Sequence, residues 1–419
     1  MKKLLLATLA MLAIACSSDD AVSTTPEENN PENPTPENPE PESPDCVFYD
    51  SVTLNTQAEV DAFAAHNYCK IIGGLYVGKS TTGSDISDLS GLTKLTEITG
   101  QFTIFQTQLV NLHGLENLQK VGELFIYYNQ NLETLEHLTS LVEVCPYGGT
   151  NEKTLTIGLN RNLKSLKGLG QITTVQRLSI TSNDALLNLE GLERLEKASV
   201  LHIQGNYNLD TFEGLTAIKE VGTLDIYHND MLTSVVQLDN IEKLSYFYCG
   251  ENIMLTVLPP MSKITELNEL HIVRTPLISF QSLSHVTKIL IIEFYENYQL
   301  SSLSGLSNLK TVTRLQIISS PALNTLSNFS SITSVIANPE TPFDYYDGLW
   351  LTGLNITSLS GFQNITSFEG NIRIGSNANL TNFCAISGIV DDATTLVEFV
   401  DNAYNPTIQD IQAGNCSQP

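Results

Sequence analysis

Hydrophobic residues along this chain recur at a fixed interval. From about Gly74 onward one phrase returns: Leu-x-Ile, then Asn, then Leu-x-x-Leu-x-Gly-Leu-x-x-Leu-x-x-Val. One copy reads Leu201-His202-Ile203, Asn206, Leu209, Phe212, Gly214-Leu215, Ile218 and Val221. The leading anchors are Leu75, Phe102, Leu124, Leu155, Leu178, Leu201, Leu224, Phe247, Leu270, Ile292, Leu315, Leu349 and Ile372. Between Leu155 and Leu315 the step is 23 residues, except once where it is 22. In the short Leu-x-Ile stretch alternate side chains point the same way, which is strand periodicity. A lone coil of this length cannot cover its own apolar face, so neighbouring coils must stack and bury it. The pattern therefore predicts a mainly β solenoid of about 13 coils of 22–23 residues. At ~4.8 Å per coil such an array is roughly 60 Å long.

Polar positions give a second check on the repeat. Five residues after the leading anchor stand Asn129, Asn160, Asn183, Asn206, Asn229 and Asn252, and later Asn297 and Asn377. A buried amide at a tight turn can satisfy backbone groups of its own and adjacent coils. Thr275, Ser320 and Leu354 interrupt the series, which leads us to expect a different turn in the later coils.

Both ends carry lid signals. Thr56-Gln57-Ala58-Glu59 has the form of a capping box, with Leu54 and Val60 placed as a staple, so a short helix is expected over the first coil. Thr407 and Asp410 suggest a brief helix at the far end. Cys46 and Cys69 flank the start of the folded region and Cys384 and Cys416 its end, so we expect disulfides Cys46–Cys69 and Cys384–Cys416. Cys145 and Cys249 remain. They fall about five coils apart, roughly 24 Å at ~4.8 Å per coil, too far for a disulfide.

Ahead of the repeat the chain reads as a targeting segment. Residues 1–15 have a basic start, Lys2-Lys3, and an apolar run, Leu4 to Ile14, which is short for a membrane span but suits a signal peptide. Ala13-Ile14-Ala15-Cys16 resembles a lipobox, which implies lipidation at Cys16. Residues 17–45 hold seven prolines, nine acidic residues and no Lys or Arg, so they read as an extended tether. Ser17-Ser18-Asp19-Asp20 resembles the export signal of surface lipoproteins in Bacteroidetes-type bacteria. That implies an outer-membrane, lipid-anchored protein at the cell surface; the alternative is the periplasmic leaflet. The domain reading is 1–15 signal peptide, 16–45 lipidated cysteine and tether, 46–73 N-terminal cap, 74–383 solenoid and 384–419 C-terminal cap.

The repeat itself resembles leucine-rich repeats. Its Gly-Leu in the second half and its entrance, Cys69-Lys70-Ile71-Ile72-Gly73-Gly74-Leu75-Tyr76-Val77, resemble more closely the receptor L domain of insulin- and EGF-receptor ectodomains. The resemblance covers residues 46 to 416. It implies a solenoid that binds other molecules on its surface, and it carries over no catalytic residue. This array is much longer than one L domain.

Charge narrows the partners. The chain carries −25. With nine acidic residues in the tether and two lysines ahead of it, residues 46–419 keep −18. Such a surface repels nucleic acid and anionic membranes, leaving the N-terminal lipid as the membrane contact and a protein or glycan as ligand. No cofactor or metal is implied. A P-loop match, Gly73-x-x-x-x-Gly78-Lys79-Ser80, is rejected because Leu75 and Val77 are strand anchors and no helix follows.

Candidate binding residues lie between the anchors, where side chains point outward. From the Leu201 coil onward this column reads His202, Asp225, Tyr248, His271, Glu293. His202 with Asp225 and His271 with Glu293 are expected pairs on a face open to water, with no third group converging. Phe105, Phe125, Tyr127, Tyr227, Tyr246, Tyr248, Tyr295 and Trp350 also occupy outward strand positions. Exposed aromatic rows suit sugar rings or a partner's apolar patch, although strands favour aromatics whatever they bind. Insertions at 145–152 and 336–348 lengthen two coils before a strand. The second brings Phe343, Tyr345 and Tyr346 beside Trp350 and is the preferred contact site. The reading is a non-enzymatic cell-surface binding protein: an adhesin, scaffold or receptor-like capture protein. The alternative is a glycan-active enzyme, a lyase or hydrolase, on a β-solenoid.

Overall fold

The computed structural model describes residues 46–79, 83–144, 154–259, 261–337, 345–390 and 396–418. The chain is a parallel β-solenoid of about 14 turns. Each leading anchor lies beside the next in register: Leu75 by Phe102, Phe102 by Leu124, Leu124 by Leu155, and onward through Leu349 by Ile372. Slip by one residue would turn every anchor to solvent, so burial fixes the register. Leu201, Ile203, Leu209, Phe212, Leu215 and Ile218 of one copy are all fully buried. Phe329 and Phe362 stack across coils with ring centroids 6.0 Å apart. Among the described residues no helix is long and apolar enough to cross a membrane.

The glycine of the Gly-Leu pair has a steric reason. Gly214 sits at φ 111°, and a Cβ there would lie 1.9 Å from the Leu189 carbonyl oxygen of the preceding coil. Only a residue without a side chain lets the return segments approach that closely.

The asparagine series is a continuous ladder through the interior. Asn206 Nδ2 donates to the Ile180 carbonyl one coil back at 2.9 Å, and Asn206 Oδ1 accepts the Asn183 N–H at 3.0 Å. The same pattern runs from Asn129 to Asn252 and resumes at Asn297, Asn377 and Asn402. Immediately before each ladder residue the backbone is left-handed, for example Ser182 at φ 54°, His228 at 53° and Glu251 at 53°. The expectation of a different turn in later coils is corrected. Arg274, Ser319 and Gly353 adopt the same conformation ahead of Thr275, Ser320 and Leu354. At Thr275 and Leu354 the backbone N–H still finds the next coil's amide. Thr275 donates its N–H to Asn297 Oδ1 at 3.0 Å, and Leu354 donates to Asn377 Oδ1 at 2.9 Å.

Both ends carry a rung beyond the thirteen anchors. Val52–Leu54 pairs with the Leu75 strand, and Val397–Val400 pairs with the Ile372 strand. Helix α1, Gln57–Ala64, starts at a complete Thr56/Glu59 capping box, with Leu54 and Val60 both buried. Helix α2, Ile408–Gln412, starts at the Thr407/Asp410 box. Cys46–Cys69 and Cys384–Cys416 are bonded, with Cα atoms 5.2 and 4.9 Å apart. Cys249 is a buried free thiol in a core anchor position, pushed up to about 12 by burial; Cys145 lies outside the described residues. The Gly73–Ser80 match contains the sheet strand Leu75–Gly78, not a phosphate loop.

These bonds tie termini, not the middle. Reduction is expected to remove about 3 kcal/mol from each end and to speed amide exchange in α1 and α2. The Leu178–Leu270 coils should keep their protection, because each contacts only its neighbours. Uniform loss of protection along the array would show that the ends and the middle unfold together.

Candidate binding face

Three outward columns run along the sheet: the residue between the two strand anchors, the residue just before the first anchor, and the residue just after the second, where Tyr227 and Tyr295 stand. Register places His202 beside Asp225, Tyr248 beside His271, His271 beside Glu293, Gln316 beside Trp350 and Trp350 beside Arg373. The second column places Tyr246 beside Glu269 and Ile291 beside Arg314.

Both expected histidine pairs are present. His202 Nδ1 lies 2.8 Å from Asp225 Oδ2, and His271 Nδ1 lies 3.1 Å from Glu293 Oε2. The expectation of an open pair at His271 is corrected. A third group converges there, because Glu269 Oε2 sits 3.0 Å from His271 Nε2. Residues two apart on a strand share a face, which brings Glu269 onto the ring. Water is also largely excluded, since the His271 and Glu293 side chains are only 20% and 11% exposed.

From His271 a bonded network extends both ways. Tyr248 donates its hydroxyl to Glu269 Oε2 at 2.7 Å. Arg314 Nη1 donates to Glu293 Oε1 at 3.1 Å, and Arg314 Nη2 to Asp347 Oδ1 at 3.0 Å. Tyr295 donates to Gln316 Oε1 at 2.5 Å, and Gln316 Nε2 donates to the Tyr346 carbonyl at 3.2 Å. Burial opposes the charge on His271, but bonds to Glu269 and Glu293 outweigh it and lift the imidazole to about 9. Burial likewise opposes ionisation of Glu269 and Glu293, yet hydrogen bonds from His271 and its charge hold both carboxyls below the usual range. The Tyr248 and Tyr295 phenols are pushed well above theirs, mainly by burial.

The network ends in an aromatic platform. Tyr346 stacks on Trp350 with centroids 5.5 Å apart and planes 3° from parallel, and Tyr345 meets Tyr346 edge-on at 5.4 Å. The Arg373 guanidinium lies 4.1 Å from the Tyr345 ring centroid and 5.1 Å from that of Trp350. Glu398 pairs with Arg373 at 3.1 Å, and Asn371 Nδ2 donates to the Tyr345 carbonyl at 2.8 Å. Tyr345 and Tyr346 stay 49% and 46% exposed, so rings held on one side by cations and bonded backbone present the other to solvent.

Not every expected residue joins this group. Phe125 and Tyr127 stack on each other at 5.8 Å, many coils away, with Phe105 edge-on to Tyr128. Tyr227 packs on His228, and Tyr246 is half-buried one column over from Tyr248. Phe343 lies outside the described residues, as do Cys16 and all of 145–152. Glu269, Arg314, Asp347 and Arg373 were not anticipated. Continuing the outward column past Glu293 would have shown Gln316, Trp350 and Arg373 in succession.

No family model and no curated protein matches the chain. Among solved structures it is similar to an internalin from Listeria monocytogenes, at 11% identity over 84% of this chain and 89% of that one, with TM-score 0.34. It is also similar to TLR13 in its complex with ssRNA13, at 10% identity over 85% and 81%, with TM-score 0.18. At these scores the chains do not superpose as wholes, and the architecture rests on this protein's own register and core.

Proposed function

We propose that this protein is a non-enzymatic binding protein that captures a glycan or protein ligand on the strand face, at Tyr345, Tyr346 and Trp350. The observation that carries this reading is the pair of half-exposed tyrosines fixed over Trp350 and Arg373. Rings held in place lose little entropy on contact and present large flat apolar faces. The lipobox-like Cys16 and the acidic tether support display of this platform from a membrane, facing outward.

The same network argues against proton-transfer chemistry. In Glu269–His271–Glu293 each group sits in an ion pair, and the imidazole holds its proton near neutral pH. General acid–base work needs a group poised near the working pH.

Trp350 also supports the fold, since it stacks on Tyr346 and faces Arg373. Its replacement therefore tests binding poorly on its own. Tyr345→Ala and Tyr346→Ala are the cleaner changes. A glycan array and pull-down from cell-surface protein fractions would find the ligand. Each variant is expected to weaken binding about 30-fold, a loss of about 2 kcal/mol, with the melting temperature within a few degrees of wild type. Full binding by both variants would place the ligand elsewhere on the solenoid.

A further inference from the structure

A second cluster lies away from the strand face, on the return segments of two adjacent coils. His113 and Glu116 belong to the Phe102 coil and His137 to the Leu124 coil. One ligand atom from each lies within 4.8 Å of the others. His113 Nδ1 is 2.6 Å from Glu116 Oε1, and the two imidazole rings meet at 5.5 Å.

The positions of these groups are built in. The His113 N–H donates to Asn111 Oδ1 at 3.0 Å, and the Gly114 N–H donates to Glu116 Oε2 at 3.0 Å. The second bond holds one carboxylate oxygen and turns the other toward His113. Gly114, at φ 104°, has no room for a side chain, because a Cβ would lie 1.9 Å from the Leu89 carbonyl oxygen. The turn is therefore fixed in shape by the coil beneath it.

An independent observation concerns His137. Its Nδ1 is shielded from solvent and has no hydrogen-bond partner among the described residues. Such a group ordinarily costs stability and calls for a partner. Two imidazoles and one carboxylate form a donor set suited to borderline metals, which take four ligands with bonds of about 2.0–2.2 Å. Donors around such a centre are roughly 3.3 Å apart, so small side-chain rotations would bring these three into place. Hard cations such as Ca²⁺ and Mg²⁺ prefer shells of oxygen and are poorly served here.

We propose that His113, Glu116 and His137 form a site for a Zn²⁺-class ion that staples the Phe102 coil to the Leu124 coil. Water completes the shell on the exposed side, next to His113. The ion replaces contacts within one coil by bonds that span two, so it stabilises the early solenoid against local opening.

The test uses the purified full-length protein, stripped with EDTA and titrated with ZnCl₂ by calorimetry. One ion per chain is expected to bind, and MgCl₂ and CaCl₂ are not. His137→Ala, His113→Asn and Glu116→Gln should each weaken Zn²⁺ binding at least about tenfold, while His66→Ala leaves it unchanged. In wild type Zn²⁺ should slow amide exchange over 111–118 and 134–141, and in the variants it should not. Should His137→Ala fail to fold, the two variants on the exposed turn carry the same reading. No stoichiometric binding to wild type, or binding insensitive to all three substitutions, would overturn the proposal.

Discussion

Replacing Asn206 with Ala is expected to lower stability by about 3–5 kcal/mol. The side chain is fully buried in the middle of the ladder. Its Nδ2 serves the Ile180 carbonyl, and its Oδ1 receives both the N–H and the Nδ2 of Asn183. Ala removes the amide's donors and its acceptor at once, so the Ile180 carbonyl and the Asn183 N–H lose their side-chain partner in the interior and Asn183 Nδ2 keeps only its bond to the Ile157 carbonyl. Each unsatisfied buried group costs about 1–3 kcal/mol. Water cannot replace the amide without opening the coil. The matching control is Asn208→Ala in the same coil. Asn208 is exposed, and its single bond, to the Asp184 carbonyl at 2.8 Å, lies at the surface. It should change stability by no more than about 0.5 kcal/mol. Urea midpoints of the two variants decide the matter. Equal shifts would mean that the ladder asparagines are decoration on a turn that closes without them.

That ladder was the most legible part of the sequence after the anchors themselves. A residue whose side chain must reach the coil before and the coil after has one chemical solution at most positions, so it recurs visibly. The turn beneath it was less legible. Left-handed conformation is imposed on Ser182, His228, Glu251 and Arg274 alike by the ladder and the strand register, and no common residue type announces it. The end rungs were missed for a related reason. Val52 and Val397 are only half-buried, and neither rung carries the Gly-Leu of an interior coil, although Asn402 stands in the ladder position after Val397; a helix or a disulfide closes one side of them.

The binding face was legible only where it is local in sequence. Tyr345, Tyr346 and Trp350 lie within six residues of each other, so their proximity could be read directly. Arg314 reaches the same platform across the coil lengthened by the 336–348 insertion, so a fixed step of 23 does not find it, whereas Arg373 stands 23 residues after Trp350 and was open to reading. Glu269 was overlooked because outside the central column aromatics such as Tyr246 announce an outward position and a carboxylate does not. The residue before the first anchor faces the same way. The His113–Glu116–His137 cluster lies on return segments, where side-chain direction follows no period of two and cannot be inferred from spacing.

The other large effect expected is a loss of stability between pH 6.5 and 9 that belongs to His271. Its folded value is raised to about 9, above the ordinary value of 6.5. A group raised on folding contributes its full stabilisation below the unfolded value. That contribution falls away as pH rises through the folded value. The difference corresponds to about 3 kcal/mol, present at pH 6 and gone by pH 10. Above that range the imidazole loses its charge between two carboxylates that keep theirs, and the Glu269 and Glu293 oxygens face each other across a neutral ring. Arg314 still bonds Glu293, and Tyr248 still donates to Glu269, since burial keeps its phenol protonated. Cys249, in the neighbouring strand but pushed up to about 12, takes no part. His271→Gln retains a donor without a titrating charge. It should be less stable than wild type at pH 6 and should lack the alkaline loss, so the two stability curves converge by pH 10. Denaturant midpoints across this range provide the measurement. Parallel curves would show that the clasp around His271 does not hold a charged imidazole, and with it the argument that this network is structural support for the platform would fail.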